Sequence, residues 1–160
     1  MSWDVILMHV PSNVASIQEL PRNFTSELGP RPEILATLAR ILPALDLTDP
    51  SWGYLKGKDF SIEFNIGDES VVDAIILHVR GSDDAVSIIQ HLCEQTGWRA
   101  FDTTAGDFMN FSQQPATGLQ QWRAFRDQVR ASLEAKEEKV QQDETHTIPT
   151  KKKKWWRFWK

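Results

Sequence analysis

The stretch Phe60-Ser61-Ile62-Glu63-Phe64-Asn65-Ile66 alternates without a break. Successive strand side chains take opposite faces, so Phe60, Ile62, Phe64 and Ile66 point one way and Ser61, Glu63 and Asn65 the other. A strand of this kind belongs to a sheet with one face packed on a core and one face wet, which is the habit of antiparallel sheets. The neighbouring sequence extends that sheet. Residues 52–55 read as a strand joined to 60–66 through Lys56-Gly57-Lys58-Asp59, a short hairpin connection containing glycine. Residues 73–80 read as a third consecutive strand, whose apolar run suggests burial on both faces. Residues 3–10 form an earlier strand stopped by Pro11, and residues 98–102 a last one.

Helices interrupt these strands in two places. Residues 31–42 place Ile34, Leu35, Leu38, Ile41 and Leu42 on one side at helical spacing, with Pro32 in the tolerated first turn and Pro43 at the end. A second helix follows Gly81-Ser82-Asp83-Asp84, where capping residues and acids suit a helix N-terminus, and Gly97 stops it. Val86, Ile89, Leu92 and Cys93 are its inward residues. Residues 103–116 are loop-like. The order β-α-β-β-β-α-β predicts an α+β two-layer sandwich, a mainly antiparallel sheet with helices on one face. A final amphipathic helix is expected over 118–141, with Leu119, Trp122, Phe125, Val129, Leu133 and Val140 along one side. The expected organisation is a domain over 1–117, that helix, a flexible linker over 142–150 and a separate tail over 151–160.

The tail is where charge becomes informative. The whole chain carries −4, while Lys151, Lys152, Lys153, Lys154, Arg157 and Lys160 place +6 in the last ten residues, leaving −10 on the other 150. Trp155, Trp156, Phe158 and Trp159 are interleaved with these cations. Clustered Lys/Arg binds anionic lipid at about 1 kcal/mol per charge, and indole rings favour the headgroup region. Ten residues are too few to span a bilayer, so the expected mode is peripheral docking. The same residues also suit single-stranded nucleic acid, the acidic body of the chain itself, or an appended peptide of antimicrobial type.

The body offers little catalytic chemistry. Cys93 is the only cysteine and reads as a small core residue; a lone thiol makes no intrachain disulfide. His9 and His78 lie on predicted strands and could be neighbours, whereas His91 and Cys93 sit two apart on a helix and do not face each other. None of these has metal-ligand spacing, so no metal or cofactor is expected. The acids Asp68, Glu69 and Asp73, and the pair Asp83 and Asp84, lack calcium-loop spacing and read as turn and cap residues or as an acidic contact patch for a protein partner. No phosphate-cradling glycine loop or nucleophile elbow occurs. The N-terminus lacks the basic region of a signal peptide, which points to a cytoplasmic chain, with a peripheral place at the inner membrane face as the expectation its tail adds.

Met1-Ser2-Trp3-Asp4-Val5, Leu28-Gly29-Pro30-Arg31, Asp49-Pro50-Ser51-Trp52-Gly53 and Ala74-Ile75-Ile76-Leu77-His78-Val79-Arg80-Gly81 together resemble a group of small uncharacterised bacterial proteins over about residues 1–110. That resemblance implies no activity and no catalytic residue. Small acidic domains of this kind are also similar in general character to immunity proteins of bacterial toxin systems. The functional expectation is therefore a non-enzymatic interaction module, immunity-like and tethered by its tail. The alternatives are a small enzyme or ligand-binding domain built around His78 and nearby acids, and nucleic-acid binding through the tail.

Overall fold

The computed structural model of the chain describes residues 1–112 and 117–147. The strands are β1 (Trp3–Met8), β2 (Gly29–Pro30), β3 (Trp52–Lys56), β4 (Phe60–Asn65), β5 (Val71–Val72), β6 (Ala74–Gly81), β7 (Arg99–Asp102) and β8 (Asp107–Phe108). The helices are α1 (Arg31–Ile41), α2 (Asp84–Thr96) and α3 (Thr117–Thr147), with a 3-10 turn at Ile17–Glu19. Six strands form one sheet in the order β3-β4-β6-β1-β7-β8, every pair antiparallel. The short β2 and β5 pair apart from it. The chain is thus α+β with an antiparallel sheet, as the alternation predicted.

The first and last thirds of the domain meet at its centre. β1 lies between β6 and β7, with Val5 opposite Leu77 on one side and Asp102 on the other. Trp3, Val5 and Leu7 are fully buried, together with Ile62 and Phe64 of β4 and Ile75, Leu77 and Val79 of β6. Ile34 and Leu38 of α1 and Ala85, Ile89 and Leu92 of α2 belong to the same cluster. Each fully buried aliphatic or aromatic side chain of this kind stabilises the fold by about 1.5–3 kcal/mol.

β6 is corrected in one respect. Its apolar run suggested burial on both faces, yet burial alternates along it: Ile76, His78 and Arg80 are only half-buried. Ala74 and Ile76 are the residues that made the run look continuous, since His78 and Arg80 on that face are polar. The same alternation runs through Asp4, Ile6 and Met8 of β1 and Ser61, Glu63 and Asn65 of β4. The sheet therefore has one sealed face and one partly open face.

The helix boundaries have local causes. α1 starts after Pro30 with a proline in its first turn, and the Arg31 amide is held by the Ser70 carbonyl at 2.9 Å. α2 ends at Gly97, whose φ of 76° lets its amide return to the Cys93 carbonyl at 2.8 Å; a left-handed residue at this position is cheapest as glycine. Where β6 ends, Gly81 has φ 100° and presses on the Asp59 backbone, so a side chain there would collide with the Asp59 carbonyl.

α3 departs from expectation at its C-terminal end, continuing through Thr147 where a linker was expected from 142. Gln142, Asp143 and Glu144 end the apolar pattern but contain no breaker, and the first proline is Pro149. Contacts divide the chain into two compact units, Met1–Trp122 and Arg123–Lys160. In the first, Leu119 and Trp122 are buried; in the second, Phe125, Leu133 and Val140 are exposed. The expected tail, 151–160, and residues 148–150 of the expected linker lie outside the described residues.

Candidate functional site on the open sheet face

The register of β3, β4, β6 and β1 sets Tyr54, Glu63, His78 and Asp4 in one transverse row across the half-open face. The next row holds Trp52, Asn65, Ile76 and Ile6, and the row on the other side holds Lys56, Ser61 and Arg80. Contacts run within and between the rows. His78 Nδ1 lies 2.8 Å from Asp4 Oδ1. The Ser2 hydroxyl donates to the same Asp4 oxygen at 2.6 Å and lies 3.4 Å from His78 Nδ1. Trp52 stacks on the His78 ring with centroids 5.6 Å apart and planes 17° from parallel. Arg80 reaches Glu63 at 3.3 Å.

This geometry limits the chemistry. An ionised Asp4 accepts, so His78 donates through Nδ1 and leaves Nε2 as an acceptor or proton site. In an acyl-transfer triad the hydroxyl meets the imidazole nitrogen opposite the carboxylate. Ser2 instead sits on the carboxylate side, with its proton given to Asp4. The arrangement thus stacks an imidazole on an indole and leaves its Nε2 outside the Asp4 contact. Trp52 and Tyr54 are 39% and 41% exposed, giving the face two large amphipathic rings beside charged neighbours. Trp, Tyr and Arg are the residues that anchor protein interfaces.

The acids singled out from sequence do not form one patch. Asp68, Glu69 and Asp73 are exposed in the connection that leads into β6, while Asp83 and Asp84 are exposed beyond its far end. The eight-residue strand between them holds the groups roughly 25 Å apart. His78 lies five residues along the strand from Asp73, about 17 Å, so the carboxylates beside the imidazole are Asp4 and Glu63 and not the Asp68–Asp73 group. Sequence reasoning missed Asp4 because its partner is 74 residues away. The available signal was a lone carboxylate at an outward position of an otherwise apolar strand.

The histidines and the cysteine fall apart in the same way. His9 is exposed beyond the end of β1, about 17 Å along the ladder from the position opposite His78, so the two are not neighbours. His91 is exposed on α2. Cys93 packs against the core, and burial pushes its thiol up to about 12. Among the described residues, no three His, Cys, Asp or Glu side chains converge as a metal site.

At the β7–β8 end the open face is partly covered. The Arg99 guanidinium lies 4.5 Å over the Phe108 ring and donates to the Val14 carbonyl at 2.7 Å. Asp107 accepts from the Ile17 amide at 2.9 Å and the Ser16 hydroxyl at 2.8 Å. The Ile17 amide chiefly, with the Phe108 amide and Ser16 hydroxyl, holds the Asp107 carboxyl below the usual carboxylate range. The outer edge of β3 is partly occupied as well, since Asp46 and Tyr54 exchange backbone bonds of 2.9 and 3.0 Å. Strand addition at that edge is thereby blunted, and the accessible surface is the face.

Among the described residues no helix is long and apolar enough to cross a membrane. Comparison with protein families, curated proteins and solved structures finds no match to the chain.

Proposed function

We propose that the chain is a non-enzymatic protein-interaction module, immunity-like in manner, which residues 151–160 dock on an anionic membrane surface. The observation that carries this reading is the segregation of charge, −10 over 150 residues against +6 in the last ten. An acidic surface is repelled by anionic lipid and attracts basic proteins, whereas the tail does the reverse. The half-open face supports the protein-binding half of the reading, because Trp52 and Tyr54 stand exposed among Lys56, Glu63, His78 and Arg80. The acids at the two ends of β6 would extend the contact beyond that face.

Vesicle flotation tests the docking half. The full chain is expected to float with phosphatidylglycerol-containing vesicles and to stay down with phosphatidylcholine alone. Replacing Trp155, Trp156 and Trp159 by serine is expected to lower recovery at least tenfold, because each inserted indole is lost while the charge remains. Equal recovery of both chains refutes the docking half. Salt-steep binding of the tail to single-stranded DNA, in preference to vesicles, would move the tail to the nucleic-acid reading.

A second reading rests on the Asp4–His78–Trp52 arrangement, an imidazole held by a carboxylate through Nδ1 and stacked on an aromatic plate. It makes the face a small-ligand platform, recognising a planar group that stacks on the rings and donates to His78 Nε2.

A further inference from the structure

The second compact unit carries a surface that the function above does not use. α3 is 31 residues long. At about 100° per residue, Phe125, Val129, Leu133, Lys136 and Val140 fall within an arc of about 80°. Phe125, Leu133 and Val140 are 57%, 55% and 58% exposed, and Val129 is half-buried. A helix whose apolar stripe faces water gains little stability from propensity alone and is completed by packing against a partner.

The charges beside the stripe say which partner fits. One flank carries Arg123, Arg126 and Arg130, followed along the same side by Glu134 and Glu137. The flank is basic in its first half and acidic in its second. The opposite flank carries Gln121, Gln128, Ser132 and Lys139 and is nearly uncharged. Two antiparallel copies of a helix bring the same flank of each together. Reversal about a twofold axis near residue 132 sets Arg126 against Glu137 of the second copy and Arg130 against Glu134. That same axis sets Phe125 opposite Val140 and Val129 opposite Leu133 or Lys136. A parallel pair would lay the charged flank against the neutral one and leave the charges without counterparts. The apolar and charged positions thus share one centre of symmetry.

We propose that α3 is a self-association surface, pairing antiparallel with α3 of a second copy of this chain through Phe125, Val129, Leu133 and Val140. Lys136 lies within the stripe, and a single polar residue there fixes register at some cost in affinity. Isologous pairing closes the assembly at two copies. It places two sheet domains and two cationic tails on one particle, so avidity at a membrane would rise without any change in the tail.

Sedimentation equilibrium on the full chain is the test. A dimer with micromolar association is expected. The double variant Val129→Glu/Leu133→Glu, at positions outside the buried core, is expected to weaken association at least a hundredfold while the sheet domain keeps its urea transition. Arg126→Glu/Arg130→Glu is expected to weaken it about tenfold, and adding Glu134→Arg/Glu137→Arg in the same chain is expected to restore it. In a Cys93→Ala background, Ser132→Cys should form an interchain disulfide and Gln121→Cys should not, because antiparallel copies hold the latter about 33 Å apart. A monomer at all concentrations overturns the proposal, as does failure of the fourfold charge swap to restore association. Equal cross-linking at both cysteines overturns the antiparallel arrangement. Replacing Trp155, Trp156 and Trp159 by serine must leave the dimer intact; its loss would assign association to the tail and overturn the proposal. Loss of vesicle binding with an intact dimer affects the tail alone.

Discussion

Among the described residues Asp102 is the one charged residue buried in the core, 3% exposed, and its removal tests how the sheet's centre is held. Its Oδ1 accepts from the Trp3 indole at 2.9 Å, the Thr104 amide at 2.9 Å and the Ala105 amide at 3.2 Å. Thr104 and Ala105 are exposed, so water can replace the carboxylate at their amides and their loss costs little. Trp3 is fully buried, and no water reaches its N–H. A hydrogen bond to a charged group contributes about 1.5–3 kcal/mol, and a buried donor left unsatisfied costs a similar amount. Asp102→Ala should therefore destabilise the chain by about 3–4 kcal/mol, most of it from the indole and the rest from the turn. For a chain of this size that lowers Tm by about 8–14 °C. Trp3→Phe keeps most of the ring and removes the donor, for a cost of about 2 kcal/mol. The cycle decides the assignment. If the indole–carboxylate bond carries the loss, the double variant should cost at least 1 kcal/mol less than the sum of the singles. Urea unfolding at 25 °C, followed by far-UV circular dichroism, reads all four chains. An Asp102→Ala cost below about 1 kcal/mol, or single-variant costs that add within about 0.3 kcal/mol, would refute the reasoning.

Two further predictions concern titration and reactivity. The Asp107 carboxyl is depressed when folded, so its stabilising contribution is complete above the carboxylate's unfolded value near 4 and disappears as pH falls through the lower folded value. Asp107→Asn should accordingly be less stable than the parent at pH 7 and converge on it as pH falls through the lowered folded value, with faster Ile17 amide exchange at neutral pH; a stability gap that persists unchanged to low pH would refute this. Cys93, pushed up to about 12, should hold only about one thiolate in ten thousand at pH 8, so Ellman's reagent should label the native chain at least a thousandfold more slowly than the denatured one. Comparable rates would mean that the thiol is not shielded.

The sheet was legible where side chains alternate in character. β4 announced itself because its outward residues are all polar, and the stops at Gly97 and Pro43 follow from backbone chemistry alone. β6 misled because Ala74 and Ile76 are apolar on the half-open face, and only the partner strands reveal that it alternates. The two-residue strands β2, β5 and β8 are too short for any periodicity. Within the candidate site, Trp52 and His78 stand in segments read as strands, but their stacking depends on the register between β3 and β6. The Asp4–His78 contact likewise depends on β1 entering the sheet beside β6, a matter of topology that local pattern does not carry. The two acidic groups offered together as one contact patch stand at opposite ends of β6, a separation that follows from the length of that strand.

The position of β1 governs how the chain can acquire its structure. β1 leaves the ribosome with no local hairpin partner; β6 is made some seventy residues later and β7 some twenty after that. Until then Val5, Leu7 and the Trp3 indole have only transient company. β3, β4 and β6 can zip in sequence, each next to its predecessor or nearly so, and offer β1 a template. Closure of the sheet by β1 therefore spans the longest loops and should set the folding rate, as pairings distant in sequence generally do. Nascent chains that stop short of residue 81 would expose β1 without either neighbouring strand, the mainly apolar segment through which this protein is most prone to misassemble.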